Sequence, residues 1–174
     1  MMGQITIRAQ GFMPGFGTQR HLNSAVRSTW EHVGRFWHRM FRPKHFTEAG
    51  AREYGYIARK GERMVQSRAK GWAGTYVARK KREKGHNLPL VWSGDTRELS
   101  RQHREKAAAT RKRSYVKVIM PVRGLNRKHP KSQINMAEEM RRISPAEDAV
   151  LTREHEDALL RRLDTVQSTV TIVI

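Results

Sequence analysis

Hydrophobic residues recur with two different periods along the chain, and each change of period marks an element. Residues 4–8 (Gln4, Ile5, Thr6, Ile7, Arg8) alternate apolar and polar, the period-two pattern of a short strand. Gly11, Pro14, Gly15 and Gly17 then interrupt regular structure. Over residues 19–41 the apolar positions Leu22, Val26, Val33, Phe36, Trp37, Met40 and Phe41, with Trp30 beside them, form the stripe of an amphipathic helix. Thr18 is its candidate cap and Arg42-Pro43 its stop. A second helix starts at Phe46-Thr47-Glu48, with Thr47 as cap and Phe46 as staple.

The stretch to residue 70 holds Tyr54, Tyr56, Ile57, Met64 and Val65 but also Gly50, Gly55 and Gly61. Each glycine costs ~1 kcal/mol inside a helix, so short helical pieces and turns are expected. Gly71 and Gly74 punctuate; Tyr76 to Lys84 reads as a helix ending at Gly85. Leu88-Pro89-Leu90-Val91-Trp92 reads as a buried extended run entering the tight turn Ser93-Gly94-Asp95-Thr96. A helix over 95–108 follows, with Asp95 and Glu98 near its positive end.

Residues 114–122 are β-rich and partly alternating, a second strand, and 123–131 form an exposed loop with Gly124, Pro130 and five Lys, Arg or His. A short helix over 136–143 precedes Ser144-Pro145-Ala146-Glu147, a capping box with proline at the first helical position. It opens a helix to Leu163, with Ala146, Val150, Leu159, Leu160 and Leu163 as its apolar face. Residues 166–174 carry a strand pattern, which either completes the chain's own sheet or offers an edge to a neighbour.

These elements predict an α+β fold: a long N-terminal amphipathic helix and shorter helices packed on a small, mostly antiparallel sheet, with extended arms or loops. The sheet is expected from 5–8, 115–122 and 166–174. Three parts follow: a strand and arm over 1–18, an α+β core over 19–122, and a basic loop, helix and terminal strand over 123–174.

Composition bounds what such a fold can do. The 174 residues, 37 % of them hydrophobic, leave room for one domain with a modest core. There is no cysteine, hence no disulfide framework, thiol nucleophile or thiolate metal site. No run approaches the ~18 apolar residues of a membrane span, and residues 1–17 lack a basic-then-apolar signal pattern. A secreted, disulfide-rich or membrane-bound protein is not expected.

Charge changes the picture most. Against 16 Asp and Glu stand 35 Lys and Arg, a formal +19. Residues 44–113 hold 19 basic and 7 acidic residues, so the middle carries most of the excess. Its dense clusters are Arg79, Lys80, Lys81, Arg82 and Lys84; Arg101, Arg104 and Lys106; and Arg111, Lys112 and Arg113. Such clusters attract phosphate without regard to sequence, or an acidic protein, or simply form a solvated face.

Candidate chemistry is sparse. Histidines stand at 21, 32, 38, 45, 86, 103, 129 and 155, but none makes an i,i+4 pair around a glutamate, and most lie among cations that repel a metal ion. Ser93 has no nucleophile-elbow context, and no glycine-rich phosphate loop or spaced acidic trio occurs. Asp95 and Glu98 read as helix-start carboxylates. No enzyme, metal or cofactor is expected. Known nucleic-acid modules are missing too, although Tyr54, Tyr56, Trp72 and Tyr76, interleaved with Arg and Lys, either stack bases or pack a core.

One stretch is more specific. Residues 86–100, His-Asn-Leu-Pro-Leu-Val-Trp-Ser-Gly-Asp-Thr-Arg-Glu-Leu-Ser, resemble a pattern shared by small tail-completion and neck (head–tail connector) proteins of long-tailed bacteriophages. In those a Lys/Arg-rich helix with a Tyr precedes Pro-Leu-Val, a Ser/Thr-Gly turn, a short polar step, then Leu and Ser. Here Tyr76, Lys80 and Lys81 supply the helix, Leu88 to Gly94 the apolar segment and turn, with Leu90, Trp92 and Gly94 among them, and Leu99-Ser100 the close. The resemblance in element order spans about 20–122; the family often has Asp-Thr-Gly or Val-Thr-Gly where this chain has Trp-Ser-Gly.

The resemblance implies a non-enzymatic virion subunit, made in the host cytoplasm, that assembles with itself as a ring and meets other neck or tail proteins. It implies Leu90, Trp92 and Leu99 as core anchors. Arg79–Lys84 and Arg111–Arg113 would face the DNA backbone or an acidic partner. The alternative is a basic, sequence-independent nucleic-acid-binding accessory protein.

Overall fold

The amphipathic stripe of the first long helix needs an apolar surface to cover it, and the chain supplies a strand pair and a second long helix. In the computed structural model, residues 3–9, 19–62, 71–122, 125 and 133–167 are described. The element order is β1 (Gly3–Ala9), α1 (Gln19–Met40), α2 (Glu48–Glu53), α3 (Tyr76–Lys84), α4 (Asp95–Leu99), β2 (Arg104–Ala109), β3 (Ser114–Met120), α5 (Met136–Glu139) and α6 (Pro145–Gln167). Short 3-10 turns lie at Arg42–Phe46 and Trp72–Gly74. The fold is α+β. It divides into two compact units, one built on Arg42–Gln102 and Met120–Arg142, the other on Gln4–Phe41, His103–Ile119 and the described part of 143–174.

The unit that contains α1 holds a three-stranded sheet in the order β1-β3-β2. β2 and β3 pair antiparallel, from Arg104 opposite Ile119 to Ala109 opposite Ser114. β3 alternates as its sequence requires: Val116 and Val118 are fully buried, while Tyr115, Lys117 and Ile119 are half-buried. α1 lays Ala25, Trp30, Val33 and Trp37 into the interior and packs on β2 and α6. Gly34 sets the approach to the sheet: a Cβ there would sit 2.9 Å from Val116 Cγ2 and 3.1 Å from Glu105 Cγ.

α1 and α6 run antiparallel, as their cross-links show. Trp37 Nε1 donates to Glu147 Oε1. His32 Nε2 and Glu154 Oε1 lie 2.6 Å apart, the Trp30 and His155 rings are 4.4 Å apart, and Arg162 Nε donates to Ser28 Oγ at 3.1 Å. At the capping box the Glu147 N–H donates to Ser144 Oγ at 3.2 Å, and the Glu147 carboxylate also takes the Trp37 indole.

Two expectations are corrected. The helix expected over 95–108 stops at Leu99, and Arg104–Ala109 is instead the strand β2. Arg-Glu-Lys-Ala-Ala-Ala is a good helix sequence, but pairing with β3 and packing under α1 outweigh a propensity of a few tenths of a kcal/mol per residue. The third strand of the sheet is therefore β2. The terminal strand expected over 166–174 does not begin at Val166, because α6 runs on through Val166 and Gln167; 168–174 lie outside the described residues. So do the Thr18 cap and, Leu125 apart, the loop from 123 to 131.

In the other unit Thr47 caps α2, its Oγ1 accepting from the Gly50 N–H at 3.0 Å. Phe46, Tyr54, Val77, Leu90, Val91, Met120, Val122, Leu125 and Met140 are buried. The unit also buries an ion pair. Arg59 Nη1 and Nη2 donate to Glu139 Oε1 and Oε2 at 2.7 and 2.5 Å, and the Ile57 N–H adds a third bond at 3.1 Å.

Candidate polyanion-binding surface

α3 begins where the Thr75 hydroxyl accepts from the Ala78 N–H at 3.2 Å and ends where Gly85 turns left-handed. Its inner face is Val77, Ala78 and Lys80; Arg79, Lys81, Arg82 and Lys84 are exposed. Lys80 departs from the expectation that it joins the contact surface. It is 4 % exposed, its Nζ donates to the Leu88 carbonyl, and it lies 5.7 Å from the Tyr76 ring. Burial, with Arg59 nearby and Glu62 opposing, lowers its pKa to about 8. The helical period places position 80 with 77, under the surface formed by its neighbours.

Lys80 ties α3 to the segment that follows. There Leu90 and Val91 are buried, Leu90 at φ +56°, so the run turns rather than extends. Trp92 is half-buried beside α3 instead of in the core. Its ring lies 5.7 Å from Tyr76, and Arg79 Cζ and Lys84 Nζ stand 5.1 and 5.8 Å from its centre. Gly94, at φ +96°, makes the left-handed turn into α4, a conformation that a side chain would strain. Leu99, expected as a core anchor, is 39 % exposed. Ser100 takes the buried place, its Oγ accepting from Arg42 Nη1 at 2.7 Å. α4 is only five residues long, so the stripe that would have turned Leu99 inward never develops.

Asp95 accepts from Ser93 Oγ at 2.7 Å, and Glu98 pairs with Arg101 at 3.1 Å, so both carboxylates serve the turn and its helix. The second expected cluster, Arg111, Lys112 and Arg113, is exposed at the β2–β3 turn, which Thr110 closes through its N–H to the Arg113 carbonyl at 2.8 Å. Arg113 Cζ and Lys117 Nζ stand 6.0 and 5.6 Å from the Tyr115 ring. Arg79–Lys84 and Arg111–Arg113 belong to different units. Arg101, Arg104 and Lys106 are also exposed.

Of the aromatics that could stack bases, Tyr54 and Tyr56 are internal. Tyr54 stacks on His45 with ring centres 4.0 Å apart, and His45 Nδ1 meets the Tyr56 hydroxyl at 2.5 Å. Burial holds His45 neutral, with a pKa near 3, and pushes the Tyr56 phenol up, with Glu139 adding to the rise. Burial opposes the Arg59 charge, but the bond and charge of Glu139 more than offset it and its pKa rises. A groove of about 630 Å³ beside these residues, lined by Arg52, Tyr56, Arg59, Glu62, Tyr76 and Lys80 among others, mixes both signs of charge.

Among the described residues no three His, Asp or Glu converge as metal ligands, and no helix is long and apolar enough to cross a membrane. The surface thus has cations held by capped secondary structure. It can engage phosphate or carboxylate by charge. No family model matches the chain, and no curated protein or solved structure is significantly similar to it.

Proposed function

We propose that this chain is a structural subunit of the neck or tail of a tailed bacteriophage, a tail-completion-type protein that assembles with itself as a ring and lies in the virion against other neck or tail proteins. The observation that supports this reading is the arrangement of residues 76–100. A capped cationic helix is tied through Lys80 and Trp92 to the Pro-Leu-Val run and the Gly94 turn, and antiparallel strands follow. That is the element order of the resemblance. The role is non-enzymatic, and exposed Arg79, Lys81, Arg82 and Lys84 meet the DNA backbone or an acidic neighbour.

Mass measurement and negative-stain imaging of the purified chain and of virions test it: rings, and the chain present in particles, are expected. A strict monomer absent from particles refutes it. The second reading, a sequence-independent nucleic-acid-binding accessory protein, draws on Arg79 and Lys84 flanking the half-buried Trp92. It predicts tight DNA binding by the monomer. Changing Arg79, Lys81, Arg82 and Lys84 to Gln should flatten the slope of log K against log salt by up to ~3.6, about 0.9 per phosphate contact. Negligible binding at moderate salt removes that reading.

A further inference from the structure

α6 buries one face and leaves the other bare. Glu147, Leu151, Ala158 and Leu163 are buried. At about 100° per residue, Ala146, Ala149, Val150, Arg153, Asp157 and Leu160 fall together in the opposite sector, roughly 100° wide. All six are exposed, and Val150 and Leu160, at 45 % and 55 %, are among the most exposed large hydrophobic residues described. The side chains of Arg153 and Asp157, one turn apart, have no hydrogen-bond or ion-pair partner in the chain among the described residues. Arg placed N-terminal to Asp is the weaker orientation for a pair along one helix.

The order of these residues is its own complement. When a second α6 is laid antiparallel with the twofold beside residue 155, Val150 meets Leu160 of the other copy. Arg153 meets Asp157, and each contact occurs twice. This is the pattern of an isologous contact, in which one patch serves both partners. A parallel arrangement would set Arg153 against Arg153 and Asp157 against Asp157, so charge selects the antiparallel one.

We propose that the exposed face of α6 is a docking surface for a second copy of this chain, paired antiparallel about a twofold axis through Val150–Leu160 and Arg153–Asp157 contacts. A ring is built from head-to-tail contacts, so this twofold contact is additional to the ring reading and independent of it.

Sedimentation of the full chain over a concentration series tests the proposal. The native chain should show a reversible, concentration-dependent doubling of mass, of the monomer or of the ring, and Arg153→Asp or Asp157→Arg alone should weaken it at least tenfold by facing like charges. The double variant R153D/D157R should restore it, because the swapped charges again meet their opposites. A native chain that stays monomeric throughout, or single variants that associate as the native chain does, overturns the proposal. So does a double variant no better than the singles.

The chain has no cysteine, so cross-linking gives a second readout that does not depend on charge. Val150→Cys/Leu160→Cys should oxidise to a disulfide-linked dimer, whereas Val150→Cys alone should not. Rapid dimerisation of the single variant indicates parallel pairing and refutes the geometry. Rings with no 150–160 cross-link refute this contact while sparing the ring reading. A cross-linked twofold dimer without rings does the opposite.

Discussion

Lowering the pH from 7.5 to 5 should destabilise the unit that contains His45, by an amount its burial sets. The side chain is fully buried, stacked on Tyr54 and bonded at Nδ1 to the Tyr56 hydroxyl, and its pKa falls from 6.5 to about 3. Its folded-state value is depressed, so the folded protein holds the neutral ring while the unfolded chain takes up a proton below pH 6.5. Stability from this residue is therefore intact above that pH and is lost as the pH falls toward 3. At pH 5 the linkage amounts to ~2 kcal/mol, nearly all of it gained by the unfolded state. Tyr56 stays neutral across this window, since a phenol ordinarily titrates near 10 and burial only pushes it higher.

Urea unfolding followed by tryptophan fluorescence at the two pH values measures the loss. Comparison with His45→Asn isolates it, because His155 and His86, whose pKa values burial also lowers, titrate in both proteins. The variant will be less stable at pH 7.5 but should lose ~2 kcal/mol less than the native chain on acidification. Equal losses in the two proteins would refute the assignment of a buried neutral imidazole.

Glu139→Gln removes the carboxylate that Arg59 and the Ile57 N–H share, leaving a guanidinium only 14 % exposed without its counter-charge. A loss of ~3 kcal/mol or more in urea unfolding is expected, and a loss under ~1 kcal/mol would mean the pair is not buried in solution. Gly34→Ala should be near neutral, because ~1 kcal/mol of helix propensity offsets the push on Val116. Gly34→Val drives branched methyls into Val116 and Glu105 and should cost ~1–3 kcal/mol in thermal unfolding; a fully stable valine variant contradicts the close α1–sheet packing.

What the sequence revealed depends on the range of the interaction. α1 and α3 were legible because their signals are local: a 3.6-residue stripe in one, and Gly74 and Gly85 bracketing the other. β2 was not, since nothing in Arg-Glu-Lys-Ala-Ala-Ala announces a strand, and only its partner ten or so residues later makes it one. Ser144 was legible as a cap, but the Glu147 carboxylate serves an indole 110 residues away. In the candidate surface the cationic helix was visible as a cluster of charge. That Lys80 turns inward followed from helical phase, a signal present in the sequence but outweighed by the run of five cations. The Arg59–Glu139 pair, 80 residues apart, had no local trace.

The antiparallel seam of α1 and α6 also sets a timetable. Its cross-links join residues 110 to 134 positions apart, from Trp37–Glu147 to Ser28–Arg162. At ~5–20 residues per second, α1 leaves the ribosome roughly 5–30 s before its partner helix exists. During that interval Trp30 and Trp37 have no α6 to cover them, and β2 and β3, made on the way, are the earlier surface on which α1 can settle. Chain growth thus orders assembly: helix on sheet first, then the second helix closing over it. Until α6 arrives, the nascent chain carries a tryptophan-rich face that a chaperone can hold.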